Sequence, residues 1–221
     1  MLRYEDIKDI SDGRLYDLND MVKADCQDCR NCHKCCSSDM GKSITLDPLD
    51  IYRLCQATGR SFNELLGREI ELSYIDGIII PNMLMKEGCR FLNEKGRCSI
   101  HPYRPSICRL FPLGRIYEGL DFKYFLQVNE CIKSNRTKVK VRKWIDTPDI
   151  ERYSAFVKKW HNFLKMVEKK AAAIEDETKL KGLLMAVIEE FYVKAFDPDK
   201  DFYEQFDERL KASLAVIRKF A

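Results

Sequence analysis

Five cysteines crowd into eleven residues of this chain: Cys26, Cys29, Cys32, Cys35 and Cys36 read C-x2-C-x2-C-x2-C-C. Thiols at this spacing can turn back onto one metal centre, whereas side chains so close in a row cannot all pair as disulfides without strain. The residues between them are Gln, Asp, Arg, Asn, His and Lys, with no apolar periodicity. Such a segment buries too little surface to fold alone, so it reads as a loop whose shape a bound metal sets. Cys89, Cys98, Cys108 and Cys131 follow. The sequence therefore predicts one or more thiolate metal sites assembled from separate segments.

The 221 residues suffice for one large domain, or for one domain with an appended helical unit. Apolar residues make up 45% and charged residues 33%, ordinary values for a globular protein. A formal net charge of +3 gives no case for nucleic acid by itself. The first residues, Met1-Leu2-Arg3-Tyr4-Glu5-Asp6, contain no apolar run of the kind a secretory signal carries. No stretch approaches the roughly 18 uncharged apolar residues of a membrane span. The expectation is a cytoplasmic protein with no membrane partner. In a reducing compartment thiols serve metals or catalysis rather than a disulfide framework.

Residues 1–25 mix apolar and acidic positions and read as short helical or irregular structure. Asp47-Pro48 starts a helix that Gly59 ends, and Ser61-Phe62-Asn63-Glu64 has capping-box spacing for a second, short one. Turn signals at Asp76-Gly77, Asn93-Glu94-Lys95-Gly96 and Glu118-Gly119 predict three hairpins. From Pro148 the texture changes to three amphipathic stripes: Ile150 to Val167, Leu180 to Phe191, and Phe202 to Ile217. The fold class is therefore α+β, a small irregular cysteine-rich core with short hairpins and a C-terminal helical unit. The division expected is 1–146 for the metal-binding domain and 147–221 for the helices packed on it. Apolar density across 26–131 is modest, so the metal is expected to stand in for part of the core there.

Within the first run, Cys26, Cys29, Cys32 and Cys36 give a bacterial-ferredoxin spacing, although Ser37 stands where proline follows in that pattern. Cys29, Cys32, Cys35 and Cys36 give the alternative C-x2-C-x2-C-C. The later thiols favour the second reading. Between Cys98 and Cys108, Pro102 and Pro105 stiffen a ten-residue step. Taken together, CRNCHKCC at 29–36, CRFL at 89–92, CSIHPYRPSICRLFP at 98–112 and the thiol at Cys131 resemble the CxxCxxCC cysteine-cluster family of zinc- or iron-chelating proteins, often labelled iron–sulfur oxidoreductases. The resemblance implies a metal bound by Cys29, Cys32, Cys35, Cys36, Cys89, Cys98 and Cys108, with Cys131 a looser match. Cys26 is additional to the motif.

Eight thiolates suit two four-coordinate zinc sites, two cubane clusters or one larger assembly, and they exclude calcium and magnesium. The thiols packed into residues 29–36 favour an iron–sulfur cluster over zinc, whose knuckles are usually separated. Arg104 and Arg109 are candidate cofactor-binding residues: they can donate hydrogen bonds to cluster sulfurs, or simply neutralise the thiolates. Cys55 reads as a core thiol; His101, at zinc-like C-x2-H spacing from Cys98, as a supporting hydrogen-bond partner with a ligand role the alternative; His33 as facing solvent or supporting a thiolate; and His161 as a surface or boundary residue on a helix.

A redox role follows as the leading expectation, with an unidentified redox partner or protein substrate and a possible iron–sulfur oxidoreductase activity. The alternative is a non-enzymatic zinc module. A flagellin lysine methylase carries a related cysteine motif, but no Gly-rich cofactor loop supports that activity here. Lys133, Arg136, Lys138, Lys140, Arg142 and Lys143 form a run without acidic residues. With Val139 and Val141 alternating, it reads as an edge strand with a charged outer face. A basic patch for nucleic acid or for an acidic partner protein is the sharper alternative, with nucleic acid the less expected partner for the chain.

Overall fold

Capping chemistry sets the first long helix. Asp47 accepts from the backbone N–H of Asp50 (2.8 Å) and Asp50 accepts from that of Asp47 (3.2 Å), so a capping box closes around Pro48 at the start of α2 (Pro48–Thr58). Gly59, at φ 67°, ends the helix in the left-handed conformation. Ser61 and Glu64 close a second box before the single turn α3 (Phe62–Leu65). These relations come from a computed structural model that describes residues 7–25, 32–37, 44–133 and 135–217.

Upstream, α1 (Ile7–Ile10) leads into the strands β1 (Ser11–Tyr16) and β2 (Met21–Asp25). Strands β3 (Ile70–Ile75) and β4 (Ile78–Met83) form an antiparallel hairpin over Asp76 and Gly77, both at positive φ. β5 (Leu113–Glu118) and β6 (Asp121–Gln127) form a second hairpin. β1 adds to the free edge of β6, giving a three-stranded sheet in the order β1-β6-β5. β2 pairs with β7 (Thr137–Lys140) in a two-stranded ribbon, with Met21 opposite Lys140 and Val22 opposite Val139.

Three local expectations are adjusted. Short helical structure holds for α1, but residues 11–16 and 21–25 are strands, because β1 and β2 pair with β6 and β7 from the far end of the domain. Val141, expected on the edge strand, instead begins α5 (Val141–Ile145) and is fully buried. The hairpin expected over residues 89–100 narrows to one antiparallel bridge between Leu92 and Cys98.

A turn of 3-10 helix (His101–Tyr103) precedes α4 (Ser106–Leu110). The C-terminal stripes form α6 (Ile150–Ala171), α7 (Glu177–Ile188) and α8 (Phe202–Ile217). α7 runs on into a π-helical turn, Glu189–Val193, that the periodicity did not reveal. Tyr153, Phe156, Trp160, Phe191 and Phe206 are buried on the facing sides, with Phe156 and Phe206 meeting edge-on at 4.7 Å.

This core does not stop at residue 146. Tyr52 stacks on Phe202 at 5.2 Å, Phe62 meets Tyr192 at 6.0 Å, and the Tyr192 hydroxyl donates to the Leu46 carbonyl at 3.2 Å. Leu46, Leu54, Leu65, Ile70, Ile78 and Met83 are all at most 2% exposed. Apolar packing therefore runs through residues 46–83, inside the span where the sequence expected a metal to stand in for part of the core. The architecture is α+β. Among the described residues no helix is long and apolar enough to cross a membrane.

Candidate metal centre

Four thiols from three separate segments lie near enough for their charges to act on one another. Cys36 ends a 3-10 turn (Lys34–Cys36), and its carbonyl accepts from the backbone N–H of Cys89 at 2.8 Å. Gly88, at φ 94°, allows this approach: a Cβ there would meet the Cys36 oxygen at 3.2 Å. The cysteine loop is held a second time at Gly96, where a Cβ would fall 2.9 Å from Nδ1 of His33. His33 thus packs on the 93–96 turn.

The next two thiols share one local device. The backbone N–H of Phe91 donates to the Cys89 sulfur, and that of Ile100 donates to the Cys98 sulfur, each two residues on. Such bonds favour the thiolate. The turn between them is fixed by Asn93, whose Oδ1 accepts from the N–H groups of Lys95 (3.0 Å) and Arg97 (2.9 Å). Cys108 comes from α4, whose first N–H is taken by Asp50 of α2.

Burial raises all four thiols, and the charge of neighbouring thiols adds to this at Cys36, Cys89 and Cys108. Burial pushes the Cys36 thiol up to about 11, helped by the charges of Cys89, Cys98 and Cys32. Burial drives Cys108 well above its ordinary value, with Cys36, Cys89, Asp50 and Cys98 adding to it. Cys89 and Cys98 are also raised, chiefly by burial. Thiols gathered without a cation resist ionisation in this way, and a bound cation reverses the effect.

A second group lies around a small cavity lined by Cys32, Lys34, Cys35, Phe111, Glu130, Cys131 and Ile132. Here Cys131, from the segment after β6, meets the cysteine loop. Cys32 links the two groups, since its charge also acts on Cys36. Cys26 and Cys29 lie outside the described residues. Among the described residues, no three His, Cys, Asp or Glu side chains are arranged, as they stand, to hold a metal ion. The donor chemistry nevertheless fits zinc or iron, because the groups that lie near one another are soft thiols. Loading then requires proton release from these thiols.

The flanking cations divide. Arg104 lowers the Cys98 thiol by its charge, and its Nη1 contacts both ring nitrogens of His101 at 2.6 and 3.0 Å. The buried Arg109 guanidinium donates instead to the carbonyls of Pro102 and Asp146, clamping the loop before α4 to the end of α5. Burial, with Arg104 and Arg53 nearby, pulls its pKa down to about 10. Sequence reasoning gave both arginines a cofactor-facing role, whereas the contacts made by Arg109 are to backbone carbonyls. Cys55, half-buried on α2, packs against the apolar core. His161 stacks on Tyr117 with ring centroids 3.5 Å apart, and burial followed by Lys165 lowers its pKa to about 4.

Sequence reasoning missed Asp50. It stands in the helix-start signal, but nothing local announces that its carboxylate reaches a serine 56 residues away. Among comparisons with known proteins, a family model described as a "Putative zinc- or iron-chelating domain" matches residues 28–154, more than half of the chain. No curated protein and no solved structure matches it.

Proposed function

The chain belongs to the CxxCxxCC family, and from that premise we propose that its thiolates hold iron as an iron–sulfur centre with a redox role in the cytoplasm. One observation carries this reading: thiols from the cysteine loop, the 89–98 turn, α4 and the segment after β6 gather in two adjoining groups, the second of them beside a cavity. Cys36, Cys89, Cys98 and Cys108 suit the enclosed group. Cys32, Cys35 and Cys131 suit the group at the cavity, where a redox partner or substrate has access. A centre bound there supplies one-electron transfer. The protein's part is to desolvate the thiolates, to give them the N–H donors of Phe91 and Ile100, and to place Arg104 beside Cys98.

The test is purification without oxygen, followed by visible absorption and reductive titration. Brown protein with broad visible absorption, reversibly bleached by a reductant, supports the proposal. Colourless, redox-silent protein with stoichiometric zinc contradicts it. A zinc reading has its own support in the paired N–H···S turns at Cys89 and Cys98, which also suit a closed tetrahedral thiolate site. On that reading chelation unfolds the cysteine loops and abolishes no turnover.

A further inference from the structure

A few residues along the chain from the thiol cavity lies a basic ribbon that the metal reading does not use. In the β2–β7 pair, Val22 and Ala24 are fully buried on one side, while Met21, Lys23, Lys138 and Lys140 are exposed. Lys143 is exposed on the α5 turn that follows. Lys123, Lys158 and Lys159 each pair with a carboxylate at 2.7 Å. Among the described residues, Lys23, Lys138, Lys140 and Lys143 have no such partner.

The charge is also concentrated here. Without the six basic residues between 133 and 143, the other 32 Lys and Arg face 35 Asp and Glu, a net negative remainder. Position matters as much as sign. β2 ends at Asp25, immediately before the first thiol of the run, and Cys131 and Ile132 of the cavity wall precede β7. Met21, on β2, is 48% exposed and Ile132, on the cavity wall five residues before β7, is 64% exposed, so the ribbon and its approach each carry an exposed apolar side chain. Contact surfaces that form transient complexes combine such apolar points with a steering field of one sign.

We propose that this ribbon, with Ile132 on its approach, docks a small acidic electron-transfer protein against the cavity of Cys32, Cys35 and Cys131. The proposal rests on the redox reading above. In the step it serves, one electron leaves the reduced centre of the partner and arrives at the thiolate-held iron, with no bond made or broken. A nucleic-acid strand fits less well. Sequence-tolerant binding of single strands uses aromatic platforms beside the cations, and the outward positions of the ribbon are Met21 and lysines.

The experiment uses the metal-loaded full chain and a plant-type [2Fe–2S] ferredoxin as the acidic probe, with binding measured by titration calorimetry at low and high salt. Wild-type protein should bind at low salt and weaken about tenfold or more at high salt. The variant Lys138→Glu/Lys140→Glu/Lys143→Glu should bind at least about tenfold more weakly at low salt, with metal content and melting temperature unchanged. Met21→Glu, on the other strand, should weaken binding in the same direction. Equal binding by wild type and the triple variant overturns the proposal, as does no binding by either. A ribbon-dependent complex with a single-stranded RNA oligonucleotide, without ferredoxin binding, overturns the class of partner. A redox-silent protein that still binds ferredoxin through the lysines keeps the docking surface and removes the redox reading. A redox-active protein that does not bind does the reverse.

Discussion

The carboxylate of Asp50, on the first turn of α2, accepts two hydrogen bonds of 2.7 Å from Ser106, one from its backbone N–H and one from its hydroxyl. Ser106 opens α4, the five-residue helix that carries Cys108. Asp50 thus does from a distance what an N-cap does locally, satisfying an otherwise orphaned N–H. Asp50 is 1% exposed and Ser106 is 4% exposed, so water cannot take over the role.

Asp50→Ala leaves both Ser106 donors buried and unpaired. It should destabilise the protein by about 1–3 kcal/mol in urea unfolding, with metal content falling alongside. Asp50→Asn keeps an acceptor oxygen and should lose less of both. Equal, full metal content in wild type and Asp50→Ala would remove Asp50 from any part in placing Cys108.

Single thiol substitutions should separate ligands from packing. Cys32→Ala and Cys108→Ala should lower metal content and solubility together, whereas Cys55→Ala, against the apolar core, should leave metal content unchanged. If the two groups load separately, Cys131→Ala removes part of the metal and keeps the remainder, read by elemental analysis of the folded protein. Loss of all metal in every variant would point to a single assembly.

His161 supplies a pH dependence away from the thiols. Its pKa falls from 6.5 to about 4 on folding, first because burial disfavours the cation and then because of Lys165. The unfolded chain then binds the proton more tightly, so stability rises with pH between about 4 and 6.5 and is lost as pH falls through that window. His161→Gln should flatten the melting temperature across that range relative to wild type. An identical acid-side loss in both proteins would assign the effect elsewhere.

Phe206 tests the helical core. It is fully buried, with Phe156 at 4.7 Å, Phe191 at 5.8 Å and Trp160 at 6.1 Å. Phe206→Ala should cost about 3–5 kcal/mol in denaturant unfolding, from lost burial plus the cavity left behind. A loss below about 1 kcal/mol would mean that these helices repack freely.

What the sequence disclosed was what is decided within a few residues. The caps at Asp47 and Ser61, the left-handed stop at Gly59, the turns at Asp76-Gly77 and Gly119 and the helical stripes after Ile150 all act locally. The strands β1 and β2 were not legible, because they form only against partners near residues 124–140. The same holds at the candidate site. The cysteine run announced metal chemistry by its spacing, but the meeting of Cys131 with Cys32 and Cys35 depends on the whole domain closing. Arg109 adds contacts the sequence does not announce: beside a thiol in sequence, it donates to the carbonyls of Pro102 and Asp146. Gly96 reads in the sequence as a turn residue and Gly88 carries no signal, and only the packed loops show that Cys36 and His33 need the space.

The most direct test is quantification of iron, zinc, acid-labile sulfide and alkylatable thiols on protein purified without oxygen. The account predicts stoichiometric metal, sulfide in proportion to iron, and Cys36, Cys89, Cys98 and Cys108 protected from alkylation until the metal is removed. Metal-free, folded protein with those four thiols fully reactive, or joined as disulfides, would contradict it.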